Sequence, residues 1–128
     1  MSSIKYAWLV FGGLYELIRF DLISALRGTA HLGRLNPQPI ALEPASPEAV
    51  RTTCNAILLA VSLYWKPVLC LQRSVCTVRL LRSHDVAARL VIGYRPVPFF
   101  SHAWVEVDGR VANDSPTYRE RLQVLYTA

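Results

Sequence analysis

The stretch Ser101-His102-Ala103-Trp104-Val105-Glu106-Val107-Asp108-Gly109-Arg110-Val111-Ala112-Asn113-Asp114 decides how this chain reads. Its first seven residues alternate, so His102, Trp104 and Glu106 share one face of a strand while Ala103, Val105 and Val107 share the other. Asp108-Gly109 is a hairpin turn signal, and Arg110 to Asp114 reads as the return strand. Two registers are open. A two-residue turn pairs Val107 with Arg110 and points Asp114 to the face opposite His102. A three-residue loop over Val107-Asp108-Gly109 instead pairs Glu106 with Arg110, Trp104 with Ala112 and His102 with Asp114. The second register opposes unlike charges, sets a large ring beside a small residue and brings a carboxylate opposite an imidazole, with Cβ atoms about 5 Å apart. It is the expected one. Asp114 is then the acid that orients His102, and Asn113 faces the wrong way. Trp104 and Glu106 are expected to pack and to pair with Arg110; walls of a substrate groove are their alternative use.

Upstream, Val86 to Tyr94 is rich in β-branched and aliphatic residues and predicts a partner strand. Before it, Pro67 ends one helix and another begins near Cys70, with Leu71, Val75, Val78 and Leu81 on one face and Gln72, Arg73, Arg79 and Arg82 off it. The preceding helix has a clear start. Ser46 is the N-cap, Pro47 the first helical residue and Glu48 a first-turn acid, and Cys54, Ile57, Leu58, Val61 and Tyr64 or Trp65 form an apolar stripe running to about Trp65. A further helix is predicted from Ile4 to Arg27, with Leu14, Leu17, Ile18 and Leu22 at helical spacing, Gly12-Gly13 weakening its front half and Gly28 as the stop. Tyr6, Trp8 and Phe11 in that front half serve either its own core or an exposed docking face. Between these helices, Gly28 to Pro47 holds four prolines and reads as a surface connector. The chain is therefore α+β, with N-terminal helices before a small antiparallel sheet. Residues 1–45 are a helix and Pro-rich connector, and 46–128 a core within one compact domain.

Composition sets the bounds. The 128 residues are 52% apolar and carry 14 Lys and Arg against 9 Asp and Glu, a net charge of +5. One hydrophobic core fits this length. The longest uncharged stretch, Thr52 to Trp65, is too short to cross a bilayer, for which about 18 residues are needed. The N-terminal apolar run is cut by Glu16 and lacks a small-residue cleavage site, so a cytoplasmic protein is expected. Twelve of the cations are Arg, scattered without a block, so no nucleic-acid stripe is formed. Cys54, Cys70 and Cys76 are odd in number and form no C-x-x-C pair, which fits free thiols and suggests neither a disulfide framework nor a zinc site.

Among these thiols, Cys70 has a distinct placement at a helix N-terminus, where unpaired amides favour a thiolate. Cys54 lies on an apolar helix face, and Cys76 lies inside the helix that Cys70 opens. A cysteine nucleophile needs an imidazole, and the imidazole needs an acceptor. His31 falls in a loop, and His84 sits at the far end of the Cys70 helix, out of reach. His102 has Asp114 as its expected partner. Cys70, His102 and Asp114 are thus the candidate nucleophile, base and orienting acid.

The ordered series Cys70-Leu-Gln-Arg-Ser74, Leu80-Leu-Arg82, Leu90-Val-Ile-Gly93, Pro98-Phe99, Ser101-His-Ala-Trp-Val-Glu106, Asp108-Gly109 and Asn113-Asp114 resembles the peptidase domain of the lasso-peptide B proteins, over about Val50 to Leu125. The resemblance implies a transglutaminase-like, papain-like fold and a cysteine peptidase that removes the leader from a ribosomally made lasso-peptide precursor. Matched by position, nucleophile, base and acid fall on Cys70, His102 and Asp114. The chain resembles the stand-alone peptidase half, since only a helix and a loop precede Ser46. It also implies partners: a separate PqqD-like winged-helix leader-recognition protein, the precursor leader, and an ATP-dependent cyclase acting afterwards. Trp8 and Phe11 are the expected contacts to the leader-binding partner. The backbone N–H of Cys70 is the expected oxyanion donor, with the second donor open among Tyr64, Trp65 and Lys66, and no metal or other cofactor is required. The same triad also serves acyl transfer in transglutaminases and arylamine acetyltransferases, and a non-catalytic peptide-binding module is the third alternative.

Overall fold

A computed structural model describes residues 3–27, 35–40, 46–114 and 117–128. Three helices, α1 (Ser3–Arg27), α2 (Pro47–Leu63) and α3 (Cys70–Ser83), precede the strands β1 (Ala88–Pro96), β2 (Phe99–Val107) and β3 (Arg110–Val111), a single helical turn α4 (Tyr118–Arg121) and β4 (Gln123–Thr127). The strands form one antiparallel sheet in the order β3-β2-β1-β4. Among the described residues, no helix is long and apolar enough to cross a membrane.

The helix starts follow from local chemistry. Ser46 is extended and its hydroxyl accepts from the Ala49 amide, while Pro47 opens α2 where no amide is needed. The apolar stripe of α2 turns differently from the expected one. Val50, Thr53, Cys54, Ala56, Ile57 and Ala60 are buried, whereas Leu58 and Trp65 are exposed and the helix ends at Leu63. The reason lies in α1, which crosses α2 closely at Gly13: a Cβ there would stand 3.1 Å from both the Ala60 Cβ and the Ile57 Cδ1. Gly13 therefore costs α1 little, because its missing side chain is what lets the two helices approach.

Helix α3 is the centre of the molecule. All its residues except Ser83 are at least partly buried. Val75, Val78 and Leu81 pack on Ala103, Val105 and Val107 of the sheet, while Cys76 and Leu80 pack on Leu9, Val10, Leu17, Ala56 and Ile57 of α1 and α2. Its polar residues are matched rather than solvated. Arg79 Nε meets Glu16 Oε2 at 2.7 Å, Gln72 donates to the Leu17 carbonyl, and Arg82 donates to the carbonyls of Ala88 and Asn36.

The far face of the sheet carries a second, smaller cluster of Val91, Trp104 and Leu122, edged by Val111 and Tyr118. The Trp104 ring lies across Gly93, where an added Cβ would stand 2.6 Å from the ring and 3.0 Å from the Leu122 Cβ. Neither neighbour is a flexible chain end. We expect Gly93→Ala to destabilise the fold by about 1–3 kcal/mol through overpacking, read as a lower midpoint in chemical denaturation; an unchanged midpoint would show that Trp104 repacks freely.

Candidate active site

The hairpin adopts the register that was not expected. Val107 pairs with Arg110 and Glu106 with Val111, around a two-residue turn in which Asp108 (φ 52°) and Gly109 (φ 76°) are both left-handed. The expected pairs Glu106 with Arg110, Trp104 with Ala112 and His102 with Asp114 are therefore not those of the sheet. Asp114 nevertheless reaches His102, because the return strand leaves the ladder. The Ala112 amide still donates to the Val105 carbonyl at 2.8 Å, but the Val105 amide donates to the side-chain Oδ1 of Asn113, at 2.9 Å, instead of to a main-chain carbonyl. Pairing stops, and Asp114 is released from the alternation that would carry it to the wrong face.

His102 Nε2 lies 2.7 Å from Asp114 Oδ2. A carboxylate only accepts, so Nε2 is the donor and Nδ1 carries the lone pair. The same Asp114 oxygen receives Nη2 of Arg73 at 3.0 Å. The imidazole is boxed by rings: Tyr118 of α4 stands 4.3 Å away between centroids, Phe100 at 6.1 Å and Trp104 at 6.3 Å. These rings fix the plane of the imidazole and shield it from water. Trp104 itself is fully buried and Glu106 is 6% exposed, with the indole Nε1 donating to Glu106 Oε2 at 2.9 Å. Trp104 packs on the far face of the sheet, while Glu106 also edges a surface pocket with Gln38, Arg89, Asp108 and Val124.

Cys70 opens α3, behind an extended N-cap, Leu69, whose side chain makes no capping hydrogen bond. Its position along the sheet follows from two anchors. Ser74 Oγ donates to the Ala103 carbonyl, and Arg82 donates to Ala88, which pairs with Val107. From 74 to 82 the helix advances about 12 Å and from 103 to 107 the strand about 13 Å, so the two run side by side in the same direction. Four residues before Ser74, Cys70 falls level with Ser101 and His102 along the strand axis, while the His102 side chain shares the opposite sheet face with Trp104. Cys70, Arg73 and Ser74 also share a helix face by their i, i+3, i+4 spacing. Among the described residues no hydrogen bond joins Cys70 to His102. His84 caps the opposite end of α3, and His31 lies outside the described residues.

The sequence reading assigned no role to Arg73, Ser74 and Tyr118 and turned Asn113 away from the site. The spacing of Arg73 and Ser74 from Cys70 was the available signal for two of them; the contacts of Asn113 and Tyr118 depend on a register and a short helix that alternation does not reveal. Among the described residues no group of His, Cys, Asp and Glu is arranged to hold a metal.

With this geometry, the chain compares closely with one family. A family model described as the transglutaminase-like superfamily matches residues 14–127. The chain belongs to the transglutaminase-like superfamily. A relative, the microcin J25-processing protein McjB of Escherichia coli, is 50% identical over 56 residues, which are 44% of this chain and 27% of the relative. The match spans about a quarter of that relative's length. No solved structure matches significantly. The superfamily match begins inside α1, so the first helix is in part common to the family.

The three thiols differ in environment. Burial pushes the Cys54 thiol up to about 11, against a smaller opposing pull from Arg73, and pushes Cys76 further still. At pH 8 roughly one Cys54 in a thousand is thiolate. Cys70 is only partly buried. Brief iodoacetamide treatment of the native protein at that pH is expected to label Cys70 alone, with Cys54 and Cys76 labelled only after unfolding. Label distributed evenly over the three in the native state would remove the selectivity argued here.

Proposed function

We propose that this protein is a cysteine peptidase that removes the leader from a lasso-peptide precursor, with Cys70 as nucleophile, His102 as base and Asp114 as orienting acid. The observation that carries the reading is the His102–Asp114 hydrogen bond at 2.7 Å, formed through Nε2 so that Nδ1 is left to take a proton, on a carboxylate also reached by Arg73 of the helix that Cys70 opens. Membership of the transglutaminase-like superfamily and the likeness to a microcin-processing protein support it.

In this mechanism His102 Nδ1 accepts the Cys70 proton, and the thiolate attacks the carbonyl at the leader–core junction. The oxyanion is met by the Cys70 amide, one of the first-turn N–H groups that lack an intrahelical acceptor. The imidazolium then donates its proton to the departing core amine as the C–N bond breaks, leaving a leader thioester. Water, deprotonated by His102, hydrolyses that thioester and restores the thiol. Sγ and Nδ1 close to hydrogen-bond distance when substrate binds, as triads of this kind do. The freed core amine is what an ATP-dependent cyclase would acylate next.

A separate winged-helix leader-recognition protein would deliver the substrate, and α1 offers the surface for it. Ile4, Trp8, Phe11, Tyr15, Ile18, Leu22 and Leu26 recur every three or four residues along one side of the helix and are exposed, Trp8 by 72% and Phe11 by 62%. Trp8 and Phe11 meet edge to face at 6.3 Å. Seven exposed large apolar side chains along one helix side fit a protein groove or helix face.

Two measurements test the reading. Mass spectrometry of a lasso-type precursor incubated with the protein and a leader-binding partner is expected to show cleavage at one junction. Cys70→Ala should lower the rate at least about 10³-fold, and Asp114→Asn about 10²–10⁴-fold. An amine adduct of the leader would indicate acyl transfer, and undiminished function in Cys70→Ala would indicate a binding module. Hydrogen exchange on complex formation is expected to slow in α1, and Trp8→Ala with Phe11→Ala to weaken the complex about tenfold or more. Unaltered exchange throughout α1 would place the partner elsewhere.

A further inference from the structure

We infer that Arg73 is a positioning residue that registers the carboxylate of Asp114, and through it the tautomer of His102, to the helix that bears Cys70. The inference rests on the peptidase reading for its kinetic consequence, but its structural content stands by itself. Two donors converge on one oxygen: Arg73 Nη2 at 3.0 Å and His102 Nε2 at 2.7 Å both reach Oδ2 of Asp114. Asp114 lies past the end of β3 and belongs to no helix or strand, so its own backbone does little to fix its side-chain rotamer. Arg73 lies in the first turn of α3, which is packed between the sheet and the other two helices. The arginine is therefore the partner anchored on a packed element.

Three features argue that the contact is for positioning rather than for stability. The ion pair is partly open to solvent, with side-chain exposures of 25% and 20%, and pairs of that kind contribute little to folding. Arg73 Nε is buried without a hydrogen-bond partner among the described residues, a desolvation cost that an arginine serving only solubility would not carry. Arg73 also follows Cys70 by three residues, so both side chains leave the same helix face within one turn. A displacement of α3 would thus carry Cys70 and the Asp114 carboxylate together, and with them the imidazole bonded to that carboxylate.

The test uses the full chain with Arg73→Met, which keeps length and helix propensity, and Arg73→Lys, which keeps charge but not the planar fork. In ¹⁵N-histidine NMR, the wild-type His102 is expected to show a single Nε2–H tautomer, and Arg73→Met a mixture of tautomers. In the precursor assay, Arg73→Met should lower kcat by about 10- to 100-fold at unchanged KM, with partial recovery in Arg73→Lys. In an Asp114→Asn background the same substitution should cost less than about twofold, because a residue acting only through Asp114 has nothing left to act on. An unaltered tautomer signal, or losses that simply multiply in the double variant, would overturn the assignment. If wild type cleaves no precursor, the peptidase reading fails while the NMR comparison still decides the role of Arg73. If Arg73→Met does not fold, the same spectra of Arg73→Lys and Arg73→Gln decide it.

Discussion

Parity is the constraint on which the candidate site depends. A strand alternates faces with every residue, so a two-residue turn between His102 and Asp114 sends them to opposite sides of the sheet. Asn113 removes that obstacle by accepting the Val105 amide with its side chain where a backbone carbonyl would otherwise stand. The main chain no longer has to follow the ladder, and Asp114 can approach His102 from the open edge beyond the short β3. Asn113 Nδ2 lies 3.4 Å from Ser74 Oγ, which holds the Ala103 carbonyl, so the departure point is tied to α3 as well as to β2. One amide side chain thereby joins the strand of His102, the loop of Asp114 and the helix of Cys70.

The rest of the architecture keeps α3 in place for that junction. Sheet and helices approach it from opposite sides, and most of its buried polar groups are answered by a specific partner, from Glu16 at Arg79 to the Leu17 carbonyl at Gln72, with Arg73 Nε the exception among the described residues. Leaving such a group unanswered inside a core costs more than the bond itself returns, so these pairs enforce a single docking angle as much as they add stability. The far face of the sheet acts on the other partner. Trp104, held by Glu106 and lying over Gly93, forms with Tyr118 and Phe100 the aromatic box that holds the imidazole plane.

Much of this was legible in the sequence where a local signal decides the outcome. Ser46-Pro47-Glu48 marked the start of α2, Pro67 and Cys70 bracketed the break before α3, and the alternation from Ser101 to Val107 marked β2 with its faces correctly assigned. Choosing the register by pairing chemistry failed, because the left-handed turn at Asp108-Gly109 outweighed a cross-strand charge pair and a side chain substituted for the backbone. Asp114 was still named, though for the wrong geometric reason. Strand β4 was not foreseen: Gln123 to Thr127 is exposed along its length and has no alternation to read. Leu58 was placed in a buried stripe because the facing helix, and the close crossing at Gly13, are properties of the assembled fold.

The two faces of α1 connect the core to the chemistry. Its inner side binds the chain on both flanks of Cys70: the Tyr64 hydroxyl donates to Asp21 and lies 3.3 Å from the Leu17 carbonyl, Lys66 pairs with Asp21 at 2.7 Å, and Gln72 returns to Leu17. Those hydrogen bonds hold the Asp21 carboxyl below the usual range although burial alone would raise it. The segment from Tyr64 to Gln72, which ends in the first turn of α3, is thus suspended from a single turn of α1. The outer side carries the exposed apolar stripe, and its residues Ile18 and Leu22 flank that same turn. Folding alone gives no reason to keep so many large apolar side chains in water. A contact made on the outer side would press on the turn that holds the Cys70 segment, because Ile18 and Leu22 share a surface depression with Asp21, Tyr64 and Lys66.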